Sequence, residues 1–153
     1  MIAVASPVGR LVVAETNGKI SRLYLPGNPV DFVPGESPLL RKAARQLEEY
    51  FAGKRRTFDL PLLLDGTPFQ VAVWQKLCEI PYGETVAYSD IASAVGRPAA
   101  CRAVGGANNR NPLAIFIPCH RVIGKSGSLV GYGGGLAVKQ YLLQLEADCR
   151  QRD

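Results

Sequence analysis

Along residues 2–26 the apolar positions fall into three short runs, IAVASPVG, RLVVAET and ISRLYLP, with the length and β-branched content that strands favour. Asn17-Gly18 separates the second run from the third. Both residues tolerate the positive φ of a type I′ turn, so the pattern predicts a hairpin inside a small meander. A loop rich in proline and glycine follows from Pro26 to Pro38. Leu39, Leu40, Ala43, Leu47, Tyr50 and Phe51 then recur at helical intervals up to Gly53, with Ser37 suited to the N-cap and Pro38 to the first helical position. A sheet and one helix make an N-terminal lobe ending near Asp65-Gly66.

From Thr67 the spacing is helical again. Phe69, Val71, Val73, Trp74 and Leu77 predict a short helix that stops before Pro81. Ser89 and Asp90 suit a helix start with Ile91, Ala92 and Val95 on its apolar face, and Gly96 suits the position after its end. A second helix is predicted to begin at Pro98 and run through AACRAVGGANN, so that helix, short turn and helix form a helix-turn-helix. Leu113 to Ile117 is an unbroken apolar run that predicts a buried strand, stopped by Pro118. A last helix is expected from about Gly135 to Cys149, placing Glu146 one turn from Leu142 and Leu143. The fold class that results is α+β, with an N-terminal lobe over residues 1–66 and a mainly helical C-terminal domain over residues 67–153.

With 47% hydrophobic and 20% charged residues, the composition excludes disorder, and 153 residues exclude a large modular enzyme. No apolar run reaches the roughly 20 residues of a membrane span, and the start of the chain lacks a signal-peptide pattern, so no membrane partner and a cytoplasmic location are expected. Cys78, Cys101, Cys119 and Cys149 lie far apart and read as reduced thiols, and with one histidine and no paired-ligand spacing no metal is expected. Charge is distributed unevenly. Between Asp90 and Glu146 there is no acidic residue, whereas Arg97, Arg102, Arg110, Arg121, Lys125 and Lys139 all fall there. Such a stretch is a solvated basic face or the footprint of a polyanion.

Three features in this stretch bear on chemistry. Ala99, Ala100, Ala103, Gly105, Gly106 and Ala107 line the second helix of the pair with small side chains. That suits either close packing on another helix or entry into a nucleic-acid groove, with Arg102 projecting beyond it. Cys119 follows an apolar run and precedes His120 and Arg121, a desolvated but electropositive setting that lowers a thiol pKa; the alternative is one more small buried side chain. Glu146 is either a solvated carboxylate or the group that orients His120 in a Cys/His/Glu relay.

I-P-C-H-R-V at 117–122 and G-Y-G-G-G-L-A-V-K at 131–139 closely resemble the O6-alkylguanine-DNA alkyltransferases, as do P-Y-G-E-T-V-A-Y at 81–88, R-A-V-G-G-A at 102–107 and N-P at 111–112. The resemblance covers essentially all of residues 67–153, and the N-terminal lobe is compatible with that family's ribonuclease-H-like lobe. It implies irreversible, stoichiometric transfer of an alkyl group from O6 of guanine, or less readily O4 of thymine, in duplex DNA to Cys119. It further implies His120 and Glu146 as the activating pair, the former through a water, Asn111 as the brace of the active-site turn, and Tyr88 as the phenol on the flipped nucleotide. Arg102 matches the finger that fills the gap in the base stack, on a minor-groove recognition helix that includes Ala103 and Gly105. Val122, Tyr132, Gly133 and Gly134 match the pocket wall, although Gly133 stands where vertebrate members carry serine. No cofactor is implied, and the expected species is a monomer. Three readings compete: a non-catalytic relative, against which Cys119 itself argues, a cysteine hydrolase that turns over, and a plain helix-turn-helix regulator.

Overall fold

A computed structural model describes residues 1–124 and 135–151 of the chain. Tyr132, Gly133 and Gly134, expected in the pocket wall, lie outside the described residues. The chain divides into two compact units, Met1–Leu64 and Asp65–Asp153.

The first unit is an antiparallel meander, β1 (Ile2–Ser6), β2 (Gly9–Thr16) and β3 (Lys19–Tyr24), in that order across the sheet, with one helix, α1 (Pro38–Phe51), packed on it. The turn between β2 and β3 is Asn17-Gly18, with φ of 51° and 78° as a type I′ turn requires. Residues 61–63 then run beside β3, where Ile20 N–H donates to Pro61 at 2.8 Å and Leu63 N–H to Ile20 at 2.9 Å. Ser37 caps α1 by accepting from Leu40 N–H and itself donates to Glu15 on β2, so the cap also ties the helix to the sheet. Leu11, Val13, Ile20, Leu40, Ala43, Leu47 and Tyr50 fill the core.

The second unit begins with α2 (Pro68–Leu77), whose N-terminus is a capping box: Gln70 N–H donates to Thr67, and the Gln70 side chain accepts from Thr67 N–H. β4 (Val86–Ala87) leads into α3 (Tyr88–Ala94) and α4 (Cys101–Asn109), the helix-turn-helix. Trp74 is buried where α2 meets α4, its indole N–H donating to Ala107 O at 2.9 Å. β5 (Val122–Ile123) pairs in parallel with β4, and α5 (Leu136–Gln151) closes the unit.

Two expected boundaries and one expected element change. α3 starts at Tyr88 rather than after Ser89, because Asp90 reaches back to accept from Ala87 N–H at 2.8 Å and so caps the first turn from inside it. α4 starts at Cys101 rather than Pro98, because Ala100 N–H is taken by Arg97 O in a preceding turn at 2.9 Å. Leu113–Ile117 is no strand. It folds on itself, with Ile117 N–H donating to Leu113 O at 2.8 Å and Ile115 at φ +75°, a backbone conformation costly for a β-branched residue.

Candidate active site and DNA-facing helix

Pro118 ends the folded apolar segment, and Cys119, His120 and Arg121 form a single 3₁₀ turn in which all three side chains are buried. A 3₁₀ turn changes the side-chain directions that an extended segment would impose. Asn111 fixes the entrance to this turn by closing the folded segment at both ends: its Nδ2 donates to Ile117 O and its Oδ1 accepts from Leu113 N–H, each at 2.9 Å. These two side-chain bonds replace a strand ladder and hold Ile115 in its left-handed conformation. Beyond the turn, the register Val86 to Val122 and Ala87 to Ile123 ties the exit to the start of α3, where Tyr88 sits.

Glu146 faces inward from α5 with no exposed surface and accepts four hydrogen bonds. His120 Nε2 lies 2.6 Å from Oε2, Arg121 Nε donates to Oε1 at 2.8 Å, Arg121 Nη2 to Oε2 at 3.0 Å, and Gly83 N–H to Oε1 at 3.2 Å. The last of these depends on the P-Y-G-E turn. Glu84 N–H donates to Pro81 O with Gly83 at φ +77°, the left-handed third position of a type II turn that glycine adopts without strain. Burial alone would raise the Glu146 pKa, but the hydrogen bonds and charges of His120 and Arg121 outweigh it and hold the carboxyl well below its ordinary range.

Burial in turn holds His120 below its ordinary pKa, against the opposing pull of Glu146. With the carboxylate ionised and the imidazole neutral, Nε2 carries the proton, and Nδ1 is left as a bare lone pair. That nitrogen is buried with no hydrogen-bond partner among the described residues. A buried acceptor without a donor is costly unless a proton or water reaches it, and this one belongs to the residue next to a buried thiol. Tyr88 lies on the same side: burial first, and the Cys119 thiolate second, push its phenol up.

The depressed values set the acid stability. Below about pH 6.5, the ordinary histidine value, the unfolded chain takes up a proton that folded His120 refuses, and at lower pH the same holds for Glu146. Folding stability is therefore expected to fall as pH drops from 7 to 5, by up to about 1.4 kcal/mol per unit for each group in its window. Melting temperatures at pH 7, 6 and 5 test this, and a flat series would contradict it.

Two of the six cations expected on a basic face are instead internal. Arg121 is spent on Glu146, on Ile80 O at 2.7 Å and on the Tyr82 ring, its guanidinium carbon 5.5 Å from the ring centre. Lys139 is fully buried and donates to Val122 O at 2.6 Å, and burial pushes its amine down. Arg97 lies over Phe69. Arg102 on α4 and Arg110, just past its end, remain outward, and Lys125 lies outside the described residues.

On α4, Val104, Ala107 and Asn108 face the core, while Arg102, Ala103, Gly106 and Asn109, with Arg110 at the C-cap, form a continuous outward face. A Cβ added at Gly106 would meet nothing within 4 Å, and one at Gly105 would reach only Tyr88 Cε1, at 4.0 Å. Close packing among the described residues therefore does not account for the Gly-Gly pair, and against those residues the small-residue face is open. From the sequence, Arg121 and Lys139 were expected only as cations, and Gly83 had no role beyond its place in the P-Y-G-E stretch. The signal for Gly83 was a glycine at the third position of a Pro-initiated turn.

Fold and site together define a two-unit protein in which a helix-turn-helix unit also carries a buried thiol beside a Glu-oriented imidazole. Two family models divide the chain in the same way: the DNA binding domain of 6-O-methylguanine DNA methyltransferase matches residues 68–148, and its ribonuclease-like domain matches residues 2–64. A methylated-DNA–protein-cysteine methyltransferase of Methanosarcina barkeri (strain Fusaro) is 51% identical over 149 residues, covering 94% of each chain. The constitutive methylated-DNA–protein-cysteine methyltransferase of Bacillus subtilis (strain 168) is 52% identical over 152 residues, covering 92% of this chain and 91% of its own. Among solved structures, Mycobacterium tuberculosis OGT in complex with DNA superposes with a TM-score of 0.89 at 45% identity, covering 96% of this chain and 92% of that one. The chain belongs to the 6-O-methylguanine DNA methyltransferase family.

Proposed function

We propose that this chain repairs alkylated duplex DNA directly, moving one alkyl group from O6 of guanine, or less readily O4 of thymine, onto Cys119 and stopping there. The observation that carries the reading is the bare, buried Nδ1 of His120, fixed by the 2.6 Å contact of Nε2 with Glu146 on the residue adjoining the thiol. His120 takes the thiol proton, directly or through a water, and Glu146 stabilises the imidazolium that forms. The sulfur lone pair then forms the S–C bond while the C–O6 bond breaks. Its electron pair leaves with the guanine, which takes up a proton and becomes an ordinary base. Because a thioether is inert under these conditions, no step regenerates the thiol, and one event exhausts the protein.

O6 is enclosed in the base stack, so the nucleotide must be extruded first. α4 fits a minor groove about 6 Å wide through its small face, Ala103 and Gly105–Gly106, with Arg102 entering the stack and Tyr88 against the extruded nucleotide. Val122, with Tyr132 through Gly134, completes the base pocket in this reading, and Asn111 keeps the Cys119 turn rigid. All these residues come from one chain, so a monomer suffices. Four unbridged cysteines suit a reducing compartment such as the cytoplasm.

The test is intact mass before and after incubation with a duplex oligonucleotide containing O6-methylguanine. One methyl group per molecule, mapped to the Cys119 peptide, is expected. Methyl on Cys78, Cys101 or Cys149 would overturn the assignment of Cys119, and sustained turnover or an unchanged mass would replace the proposal with one of the competing readings.

A further inference from the structure

We propose that Arg121 is a positioning residue whose charge, added to the effect of burial, offsets the pull of Glu146 and keeps the His120 imidazole neutral beside an ionised, buried carboxylate. The proposal rests on the reading of Cys119 as the thiol served by His120, and it concerns only how that base is kept ready.

The geometry poses an electrostatic problem. A buried Glu–His pair alone has two neutral arrangements, imidazolium with carboxylate, or imidazole with carboxylic acid, and isolated buried charge is strongly disfavoured. The hydrogen bond at 2.6 Å favours the first, in which Nδ1 carries a proton and accepts nothing. A base for the thiol needs the third arrangement, neutral imidazole with carboxylate, which leaves one net negative charge in the interior. Arg121 supplies the missing cation. Its fork meets both oxygens of Glu146, through Nε at 2.8 Å and Nη2 at 3.0 Å, a bidentate geometry that a guanidinium holds permanently charged. The cluster of Arg121, Glu146 and neutral His120 is then uncharged overall.

The rest of the guanidinium is satisfied in ways that fix it there, with Nη1 donating to Ile80 O at 2.7 Å and the plane lying near the Tyr82 ring. The other groups acting on His120 are few. Lys139, from α5, is a second cation that disfavours imidazolium, but its amine is directed to Val122 O, and burial weakens its own charge. A Cys119 thiolate would act in the opposite sense. Gly83 N–H stabilises the carboxylate without bringing a charge.

His120 is the only histidine in the chain, so its titration can be followed by NMR without assignment ambiguity. In Arg121→Gln the His120 pKa is expected to rise by at least about one unit relative to the parent, and the acid limb of Cys119 alkylation by iodoacetamide to move up with it, giving about a fivefold loss at the old midpoint and about tenfold well below it. In Arg121→Lys, which keeps the charge but not the fork, the His120 pKa should stay within about half a unit of the parent. Neither readout uses DNA, so failure of the repair reading would leave this test standing. An Arg121→Gln protein that is folded yet titrates as the parent does would overturn the proposal. So would an upward shift in Arg121→Lys as large as that in Arg121→Gln, since geometry rather than charge would then be in control. Should Arg121→Gln not fold, the lysine variant decides alone: a His120 pKa within about half a unit of the parent supports the proposal, and a rise of about one unit or more overturns it.

Discussion

Glu146→Gln is expected to slow methyl transfer to Cys119 by roughly 10²-fold or more, because it removes the anion that makes His120 an effective general base. The carboxylate accepts from His120 Nε2, twice from Arg121 and from Gly83 N–H; an amide keeps the shape but brings one oxygen and two donors of its own. At least one Arg121 or His120 donor then meets an N–H instead of an oxygen. The imidazolium that forms when the thiol loses its proton then lacks its carboxylate partner and faces the Arg121 cation, and the Nε2-H tautomer is no longer enforced. Stability falls as well. Breaking a buried ion pair by removing one partner costs about 3–5 kcal/mol, since Arg121 is left charged and uncompensated. DNA affinity should barely change, because Glu146 is fully buried on α5 and α4 presents the outward cations. Single-turnover rates across pH, measured well below the melting temperature and alongside duplex affinity, test the assignment. An unchanged pH profile for Cys119 alkylation would remove Glu146 from the relay.

Where local chemistry decides the structure, the sequence was legible. Ser37 caps its helix, Asn17-Gly18 makes its turn, and Glu146, for which the sequence left a solvated and an inward position open, faces inward with its apolar helical neighbours one turn away. Asn111 was named through the family pattern, and the structure adds the reason: two side-chain bonds that close a segment of irregular backbone. That segment was misread, because an unbroken apolar run reports burial and carries no period from which to tell a strand from packed turns. Leu113–Ile117 is buried as expected but bent.

The opposite failure concerns Arg121 and Lys139. Counting charges along the chain assigned both to a basic face, yet whether a cation is outside or inside depends on a partner distant in sequence, 25 residues away for the Arg121–Glu146 pair. The parallel pairing of β4 with β5 was hidden for a related reason. Two residues per strand are too few to show alternation, and the partners lie 36 positions apart.

Arg102→Ala separates base extrusion from bond making and is expected to slow repair of duplex DNA by about tenfold or more while leaving reaction with free O6-methylguanine nearly unchanged. Arg102 is exposed near the start of α4, on the outward face with Ala103, Gly106 and Asn109, whereas the thiol, His120 and Glu146 are buried. Truncating an exposed arginine should hardly disturb that cluster. On duplex the situation differs, because an extruded nucleotide leaves a gap whose unstacking costs a few kcal/mol, and a side chain that fills the gap recovers part of it. At about 1.4 kcal/mol per decade, losing such a plug accounts for the expected factor. A phosphate contact would behave otherwise. It would contribute to affinity for any DNA, damaged or not, and its loss would reduce the salt dependence of binding by about one ion per duplex. The decisive quantity is the ratio of single-turnover rates on duplex and on free base, in parent and variant, at saturating duplex. A fall on duplex alone identifies Arg102 with extrusion; an equal fall on both substrates would mean that it supports the pocket or the fold, and the finger assignment would have to be abandoned.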